Sequence, residues 1–184
     1  MGFLDDAIQA SKEEEERATE RAREARVRIL EVIAAAFGAR PALDPPASAL
    51  SDDLDAVRTA LAAHGGLLAT TDDGPVGCLL FDPRADGLVL RRFGVLPTAQ
   101  GHGVAAAMVD AAVESAIGHE SLVVLARAEL PNTIAFWERH GFVEDRRWDH
   151  NVQLRRALPT TYDVPDADAM QALGARIGRT RRAG

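Results

Sequence analysis

Two glycines one residue apart open an alanine-rich segment, and their setting suits the binding of a phosphate group. The stretch Gln100-Gly-His-Gly-Val-Ala105 follows the apolar run Phe93-Gly-Val-Leu96 and leads into a predicted helix. The first N–H groups of a helix have no partner within it, and the helix dipole places partial positive charge there. Glycine lets a bulky anion approach this backbone closely. Because the stretch contains no Lys or Arg, we expect main-chain N–H groups to hold the anion.

Two other interpretations of this spacing remain open. Gly101-x-Gly103-x-x-Ala106 also matches the fingerprint of dinucleotide-binding folds, and Glu129 lies about where a ribose-binding acid is expected. That fingerprint follows its strand directly, however, whereas Pro97-Thr-Ala-Gln100 intervenes here. The chain that remains is also too short for further strand-helix units. A plain tight connection between a strand and a helix is the structural alternative.

The elements that must position this loop follow from hydrophobic periodicity, which predicts the order α-α-β-β-β-α-β-α-β-β. The run from Ser121 to Arg127 is almost continuously apolar, which is typical of a buried parallel strand. The segment from Leu88 to Arg127 therefore forms a βαβ unit. The expected fold class is α/β (α+β), a mixed and mainly antiparallel sheet covered by helices. The predicted helices span 27–37, 51–63, 104–117 and 132–139, and the predicted strands span 66–71, 76–81, 88–96, 121–127, 142–144 and 151–158.

Composition limits the possible functions. The chain has 184 residues, a formal net charge of −7 and no apolar run long enough to span a membrane. The acidic balance argues against broad adhesion to nucleic acid, and the N-terminus lacks the basic and apolar regions of a secretory signal. We therefore expect a cytoplasmic protein. Cys78 is the single cysteine, so no metal site is predicted, and its apolar surroundings favour a core position.

Three regions are predicted along the chain. Residues 1–26 are a charged helical extension, 27–158 a catalytic domain and 159–184 a C-terminal arm. The extension is rich in Glu, Arg and Ala, and we interpret it as a solvated continuation of the first core helix. A partner-binding arm is the alternative interpretation.

Two motifs resemble those of the GCN5-related N-acetyltransferase (GNAT) family. Gln100-Gly-His-Gly-Val-Ala105 resembles its Gln/Arg-x-x-Gly-x-Gly/Ala signature, and Phe136-Trp-Glu-Arg-His-Gly-Phe142 resembles its second motif. The resemblance implies acetyl-CoA as cosubstrate, an amine as acceptor, direct attack in a ternary complex and a splayed central pair of parallel strands. The residues that it implies at the coenzyme are Phe93, Val95, Leu96, Gln100, Gly101, His102, Gly103, Val104, Ala105, Asn132, Phe136 and Trp137.

Transfer to an amine requires a proton acceptor and a donor to the oxyanion, because an amine of pKa about 10 is protonated at neutral pH. Backbone N–H near Val95 is the candidate oxyanion contact, and Glu129 is the candidate base. Asp149 and His150 are placed at the edge of the acceptor pocket.

The sequence departs from the family pattern at the expected acid. Trp137 replaces the family's frequent tyrosine, and an indole cannot protonate a thiolate. Leu130 replaces its asparagine, with Asn132 displaced toward the helix start. His64, His119 and His140 lie near predicted helix ends, where capping is expected.

The C-terminal arm is similar to the opening of the ATPase subunit (TsaE-like) of the machinery that makes threonylcarbamoyladenosine in tRNA. No Gly-x-x-x-x-Gly-Lys follows it, so no ATPase activity is predicted. A fused or adjacent ATPase domain and a homodimer are possible partners, whereas neither a membrane nor direct nucleic-acid binding is expected. The alternative function is a CoA-binding regulatory or docking module. An ordinary helix packed on the domain is the alternative for the arm, and Tyr162 is interpreted as a surface residue.

Overall fold

The computed structural model describes residues 2–159, with side chains from residue 12 onward. The helices are α1 (Gly2–Gly38), α2 (Leu54–His64), α3 (Val104–Ser115) and α4 (Pro131–Arg139). The strands are β1 (Gly66–Thr71), β2 (Gly74–Arg84), β3 (Gly87–Val95), β4 (Ser121–Arg127), β5 (Val143–Trp148) and β6 (Asn151–Ala157). Short 3-10 turns span Ser48–Ser51 and Pro97–Ala99. The predicted order of elements is confirmed. The predicted features of the C-terminal arm and of Tyr162 lie outside the described residues.

Several predicted bounds are wrong, among them those of β2, which spans Gly74–Arg84 rather than 76–81. Two of the differences have identifiable reasons. Helix α3 ends at Ser115, because the chain leaves helical geometry before the exposed Ile117 and turns at Gly118 with φ of 85°. The short strand predicted at 142–144 continues to Trp148. Its charged residues read as a loop in the sequence, but they form an exposed edge strand paired only with β6. Charged side chains are a usual feature of such edges.

The six strands form one sheet in the order β1-β2-β3-β4-β6-β5. All neighbours are antiparallel except β3 and β4. That parallel pair is in register only from Leu88 with Leu122 to Leu90 with Val124. Beyond this point β3 continues to Val95 and β4 continues to Arg127, but the two strands no longer pair with each other. The predicted mixed sheet with a splayed parallel pair is therefore confirmed, and the splay opens a gap in the middle of the sheet.

Helices cover both faces of the sheet, as predicted, because adjacent strand residues point to opposite sides. Leu79 belongs to the core that α3 and α4 build, whereas Cys78 and Leu80 belong to the core beneath α1 and α2. Cys78 is fully buried, and this burial raises the pKa of its thiol to about 12. The cysteine is thus a core residue with little thiolate character at neutral pH.

Helix α1 is continuous through the predicted boundary at residue 26. Its C-terminal third supplies Ile29, Val32, Ile33 and Ala36 to the core. The side chains from residue 12 to residue 24 are exposed. Within the described chain, no helix combines the length and apolar character that crossing a membrane requires.

A bulge in β3 turns that strand next to the gap. Cys78 pairs with Gly94 and Leu80 pairs with Arg91, so Leu79 faces two residues, Arg92 and Phe93. Arg92 adopts a left-handed φ of 55°, which is unfavourable for a residue with a side chain. Its guanidinium donates to both carboxylate oxygens of Asp52, at 2.5 and 2.7 Å, and to the Ser48 hydroxyl at 3.1 Å. This ion pair ties the entry of α2 to the bulge.

We expect Asp52→Asn to lower the free energy of unfolding by about 1 to 3 kcal/mol, because it leaves the mostly buried Arg92 guanidinium without its anion. Asp55→Asn is the matched control, since Asp55 meets Arg58 on the surface and such pairs contribute about 0.5 kcal/mol. Urea unfolding monitored by circular dichroism measures both values. Equal losses in the two variants would show that the ion pair does not support the bulge.

Candidate functional site

A cleft of about 1750 Å³ lies along the gap between β3 and β4. It is bordered by the end of α1 and the linker that follows it, by the loop before α3, by α4 and by the turn between β5 and β6. The cleft therefore collects segments that are distant in sequence around the splayed strands. A volume of this size is sufficient for a large organic ligand.

The loop before α3 presents unpaired main-chain donors to this cleft. Gly101 and Gly103 have φ of 79° and 81°, and a Cβ built at either position meets no atom within 4 Å. Glycine is thus required there by backbone conformation rather than by crowding. Within the part of the chain that the structure describes, the N–H groups from Gly101 to Ala106 have no acceptor. They form a cradle at the N-terminus of α3 that is suited to an anion.

The N–H of Val95 points into the gap. Leu96 N–H donates to Val76 O at 2.8 Å, and Gly77 is the pairing partner of Val95. Hydrogen-bonded and non-bonded pairs alternate along an antiparallel ladder, so Val95 turns its own N–H and C=O away from β2. Its carbonyl accepts from Gln100 Nε2 at 3.2 Å, whereas its N–H has no acceptor among the described residues. A single free donor therefore lies beside the splayed strand.

The register of the two parallel strands shows what lies across the gap. Leu88 pairs with Leu122, a difference of 34 positions. The same difference would place Val95 level with Glu129. The bulge adds one residue to β3, so the level moves back by about one residue, to Ala128. Just before Glu129, the N–H of Ala128 donates to His150 O at 2.9 Å. The turn between β5 and β6 is thereby held at the same level.

Arg127, Glu129 and His150 form a hydrogen-bonded chain at this end of β4. Arg127 donates to both carboxylate oxygens of Glu129, at 2.9 and 3.3 Å, and His150 Nδ1 lies 2.8 Å from Glu129 Oε1. The same guanidinium donates to the carbonyls of Asp44 at 3.0 Å and Pro45 at 2.7 Å. The Arg127 hydrogen bond is the main cause that lowers the pKa of Glu129 from 4.5 to about 2. A carboxylate with so low a pKa is a weak proton acceptor at neutral pH.

The rings of Phe93, Phe136 and Trp137 line the cleft beside the bulge, and Phe142 packs against Trp137 in the core. Trp137 is 4% exposed, and its ring centroid lies 4.7, 5.1 and 5.0 Å from those of Phe93, Phe136 and Phe142. The indole N–H has no acceptor within the described chain. Among the described residues, no fully buried side-chain nitrogen or oxygen lacks a partner. The indole N–H must therefore reach open space, and Trp137 lines the cleft.

The structure gathers most of the predicted site residues in this cleft. It is lined by Phe93, Val95, Gln100, Gly101, Gly103, Val104, Ala105, Glu129, Asn132, Phe136, Trp137, Asp149 and His150. Leu96 does not line it, because its side chain packs on the core beneath α1 and α2. His102 is exposed, and its Nδ1 contacts Gln100 O at 2.9 Å. His140 Nδ1 contacts Phe136 O one turn back, at 2.8 Å, in agreement with the predicted capping role.

Sequence reasoning missed two arginines of the cleft. Arg127 was not singled out, although it holds both Glu129 and the linker after α1. Arg40 lies with its Cζ 3.7 Å from the centroid of Phe37 and donates to Phe93 O at 3.2 Å. Their contacts with the carbonyls of Asp44, Pro45 and Phe93 leave no local pattern, because these partners lie 53 to 83 positions away along the chain.

Residues 63–144 match the family model described as acetyltransferase (GNAT) domain. Over this segment the chain is similar to GNAT acetyltransferases. The predicted resemblance to the GNAT family is thereby confirmed over these residues, and no comparison supports the ATPase-like resemblance of the arm. No curated protein matches the sequence significantly.

Solved structures share the fold of the GNAT domain at low sequence identity. PaiA N-acetyltransferase from Thermoplasma acidophilum, solved with coenzyme A, has a TM-score of 0.63 and 11% identity, covering 73% of this chain and 94% of its own. A GNAT-family protein from Desulfovibrio desulfuricans has a TM-score of 0.60 and 18% identity, covering 74% and 94%. The ribosomal-protein-S18-alanine N-acetyltransferase from Escherichia coli has a TM-score of 0.57 and 16% identity, covering 75% and 90%. At these identities the likeness concerns the fold.

The depressed pKa of Glu129 predicts a pH-dependent contribution to stability. A carboxylate whose pKa is lowered by folding stabilises the native state above its ordinary pKa of 4.5 and loses this contribution as the pH falls toward about 2. We expect Glu129→Gln to melt below the wild type at pH 7, with the difference shrinking between pH 5 and 2.5. Differential scanning calorimetry across this range measures the difference.

Glu138→Gln is the control for this measurement, because the Glu138 carboxylate makes no hydrogen bond or ion pair within the described chain. Its melting temperature should follow that of the wild type at every pH. A constant difference between Glu129→Gln and the wild type from pH 7 to 2.5 would contradict the assignment.

Proposed function

We propose that this protein transfers the acetyl group of acetyl-CoA to a primary amine by direct attack in a ternary complex. The amine belongs to a protein or peptide N-terminus, a lysine or a small amine. The observation that carries the proposal is the arrangement of free main-chain donors along one gap. The cradle from Gly101 to Ala106 lies at its edge and the N–H of Val95 within it.

The residues present fit acetyl-CoA. The cradle offers N–H groups and a helix N-terminus to the pyrophosphate, as the sequence led us to expect. Strand β3 runs along the cleft from the bulge to Val95 and is free on its β4 side there, so it would follow the pantetheine arm. The cleft volume is ample for such a ligand. The similarly folded PaiA enzyme was solved with coenzyme A, which supports the same choice.

Val95 is placed to stabilise the oxyanion. When the amine nitrogen attacks the thioester carbon, the carbonyl electrons move to oxygen, and a preorganised N–H aimed at that oxygen lowers the barrier. Loss of one such donor typically costs about 100-fold or more in rate. Trp137 borders the same space with a free indole N–H. An indole can donate a hydrogen bond to the departing sulfur, but it does not transfer its proton.

A second function, a CoA-binding regulatory or docking module, is favoured by one observation. Trp137 occupies the position of the family's frequent tyrosine, so this chain lacks the phenol that would protonate the leaving thiolate. In that case the cleft would bind the coenzyme without turnover. The two functions differ in what happens to the thioester.

We expect thiol release from acetyl-CoA to rise at least tenfold above the background when the matching amine is added. Peptide N-termini, lysine peptides, polyamines and aminoglycosides form the panel, with thiol detected by a colorimetric reagent and the acetylated product by mass spectrometry. Calorimetric binding of CoA with no product from any amine would favour the regulatory module. Absence of CoA binding would refute both functions.

We expect Gly103→Ala to weaken CoA binding about tenfold, equivalent to about 1.4 kcal/mol, because a methyl group would stand beside the amides of the cradle. Gly118→Ala is the matched control. Gly118 has a φ of 85° and an equally open surrounding, but it lies outside the cleft. Both variants should lose similar stability, about 1 kcal/mol from the left-handed backbone.

Isothermal titration calorimetry with CoA measures the affinities, and thermal melting measures the stabilities. Equal affinity of Gly103→Ala and Gly118→Ala for CoA would place the coenzyme elsewhere.

A further inference from the structure

We propose that His150 accepts the proton of the amine substrate through Nε2, with Glu129 and Arg127 as positioning residues. This inference rests on the proposed function and deepens it by naming the proton acceptor. It assigns Glu129, the candidate base of the sequence, to the orientation of the imidazole. The evidence is the geometry of the chain that joins the three side chains.

The imidazole is held by one of its two nitrogens. Nδ1 of His150 lies 2.8 Å from Glu129 Oε1, whereas Nε2 has no partner among the described residues. A carboxylate that accepts from Nδ1 fixes the tautomer in which Nδ1 carries the hydrogen and Nε2 is free to take up a proton. His150 is 55% exposed by its side chain and lines the cleft, so an amine that enters from solvent can reach it.

The carboxylate is itself held in place. Arg127 donates to both oxygens of Glu129, and its side chain is only 15% exposed. The remaining donors of the guanidinium bind the carbonyls of Asp44 and Pro45. The arginine therefore joins β4, the glutamate and the linker after α1 into one unit. A shift of this linker would be transmitted to Glu129 and from there to the imidazole ring.

The backbone fixes both partners at the same level of the sheet. Arg127 pairs with Asn151 in the antiparallel ladder of β4 and β6, and Ala128 N–H donates to His150 O at 2.9 Å. The parallel register carried beyond Leu90 brings this level opposite Val95. The proton acceptor and the candidate oxyanion donor therefore both line the cleft in which the thioester would lie.

The imidazole is better suited to this task than the neighbouring carboxylate, because Nε2 is free within the described chain whereas both carboxylate oxygens of Glu129 already accept from Arg127. The charged and titratable groups near His150 are Glu129 and Arg127 from the end of β4 and Asp149 from its own turn. His102, by contrast, lies on the loop before α3 and contacts Gln100 O. His150 is thus the histidine placed on the acceptor side of the cleft.

The proposed step balances as follows. The ammonium of the acceptor gives one proton to His150 Nε2, and the freed lone pair forms the N–C bond to the thioester carbon. The carbonyl electrons move to the oxygen beside Val95 N–H and return as the C–S bond breaks. The thiolate leaves with the sulfur electron pair and takes the second amine proton, and His150 releases its proton to water. The products are an amide, free CoA and one proton.

The kinetic test compares His150→Gln with the matched control His119→Gln. His119 is half-buried near the end of α3, away from the cleft. We expect His150→Gln to lower kcat about 100-fold at pH 7, with unchanged affinity for CoA. The deficit should shrink at pH 10, where about half of an amine of pKa about 10 is already deprotonated in solution. His119→Gln should keep the wild-type kcat.

A spectroscopic test needs no turnover. In the neutral form of the wild type, ¹⁵N NMR of the assigned His150 ring should show the Nδ1–H tautomer as the major species. Glu129→Gln should shift the ring toward the Nε2–H tautomer and lower kcat about tenfold, whereas the His119 ring should not change.

The outcomes separate the inference from the proposed function. A wild type that acetylates an amine, together with a His150→Gln variant as active as His119→Gln, would overturn the inference alone. An Nε2–H tautomer in the wild type would also overturn it. A wild type that binds CoA but acetylates no amine would refute acetyl transfer and the role of His150 with it.

Discussion

The short pairing of β3 with β4 is the constraint on which the candidate site depends. Only the residues from Leu88 to Leu90 are in register with β4, and both strands then run on alone. Unpaired main-chain groups inside a sheet are costly unless a ligand, water or a side chain satisfies them. The bulge at Arg92 and its ion pair with Asp52 turn β3 at the point where pairing stops. The interior of the sheet thereby becomes a binding cleft.

The two sides of this cleft differ in their chemistry. On one side, the cradle before α3 and the N–H of Val95 offer uncharged main-chain donors. Such donors can bind an anion without the help of a Lys or Arg side chain. On the other side, Arg127, Glu129 and His150 form a hydrogen-bonded chain of side chains. In the proposed function, backbone geometry would serve the donor of the acetyl group, whereas side-chain chemistry would serve the acceptor. Such a division accounts for a cradle in which Lys and Arg are absent.

The order of elements and the cradle could be predicted because each depends on residues that are close together in the sequence. Periodicity of two or 3.6 residues fixes strand or helix, and the glycines at 101 and 103 require φ values that other residues rarely adopt. Element ends were less predictable. The edge strand β5 is stabilised by its ladder with β6 rather than by its own apolar residues, so its charged sequence did not predict its length. Leu96, which directly follows β3 and was expected at the coenzyme, packs on the core beneath α1 and α2.

The sequence by itself determined the glycine cradle and the α-α-β-β-β-α-β-α-β-β order. Only the tertiary structure decided which side chains meet on the acceptor side. Glu129 and His150 are 21 positions apart, and Arg127 reaches Asp44 across 83. The spacing of these residues along the chain does not predict such contacts, because they arise from the antiparallel pairing of β4 with β6 and from the path of the linker. Local geometry is encoded in neighbouring residues, whereas the joining of distant ones is fixed by how the strands pair.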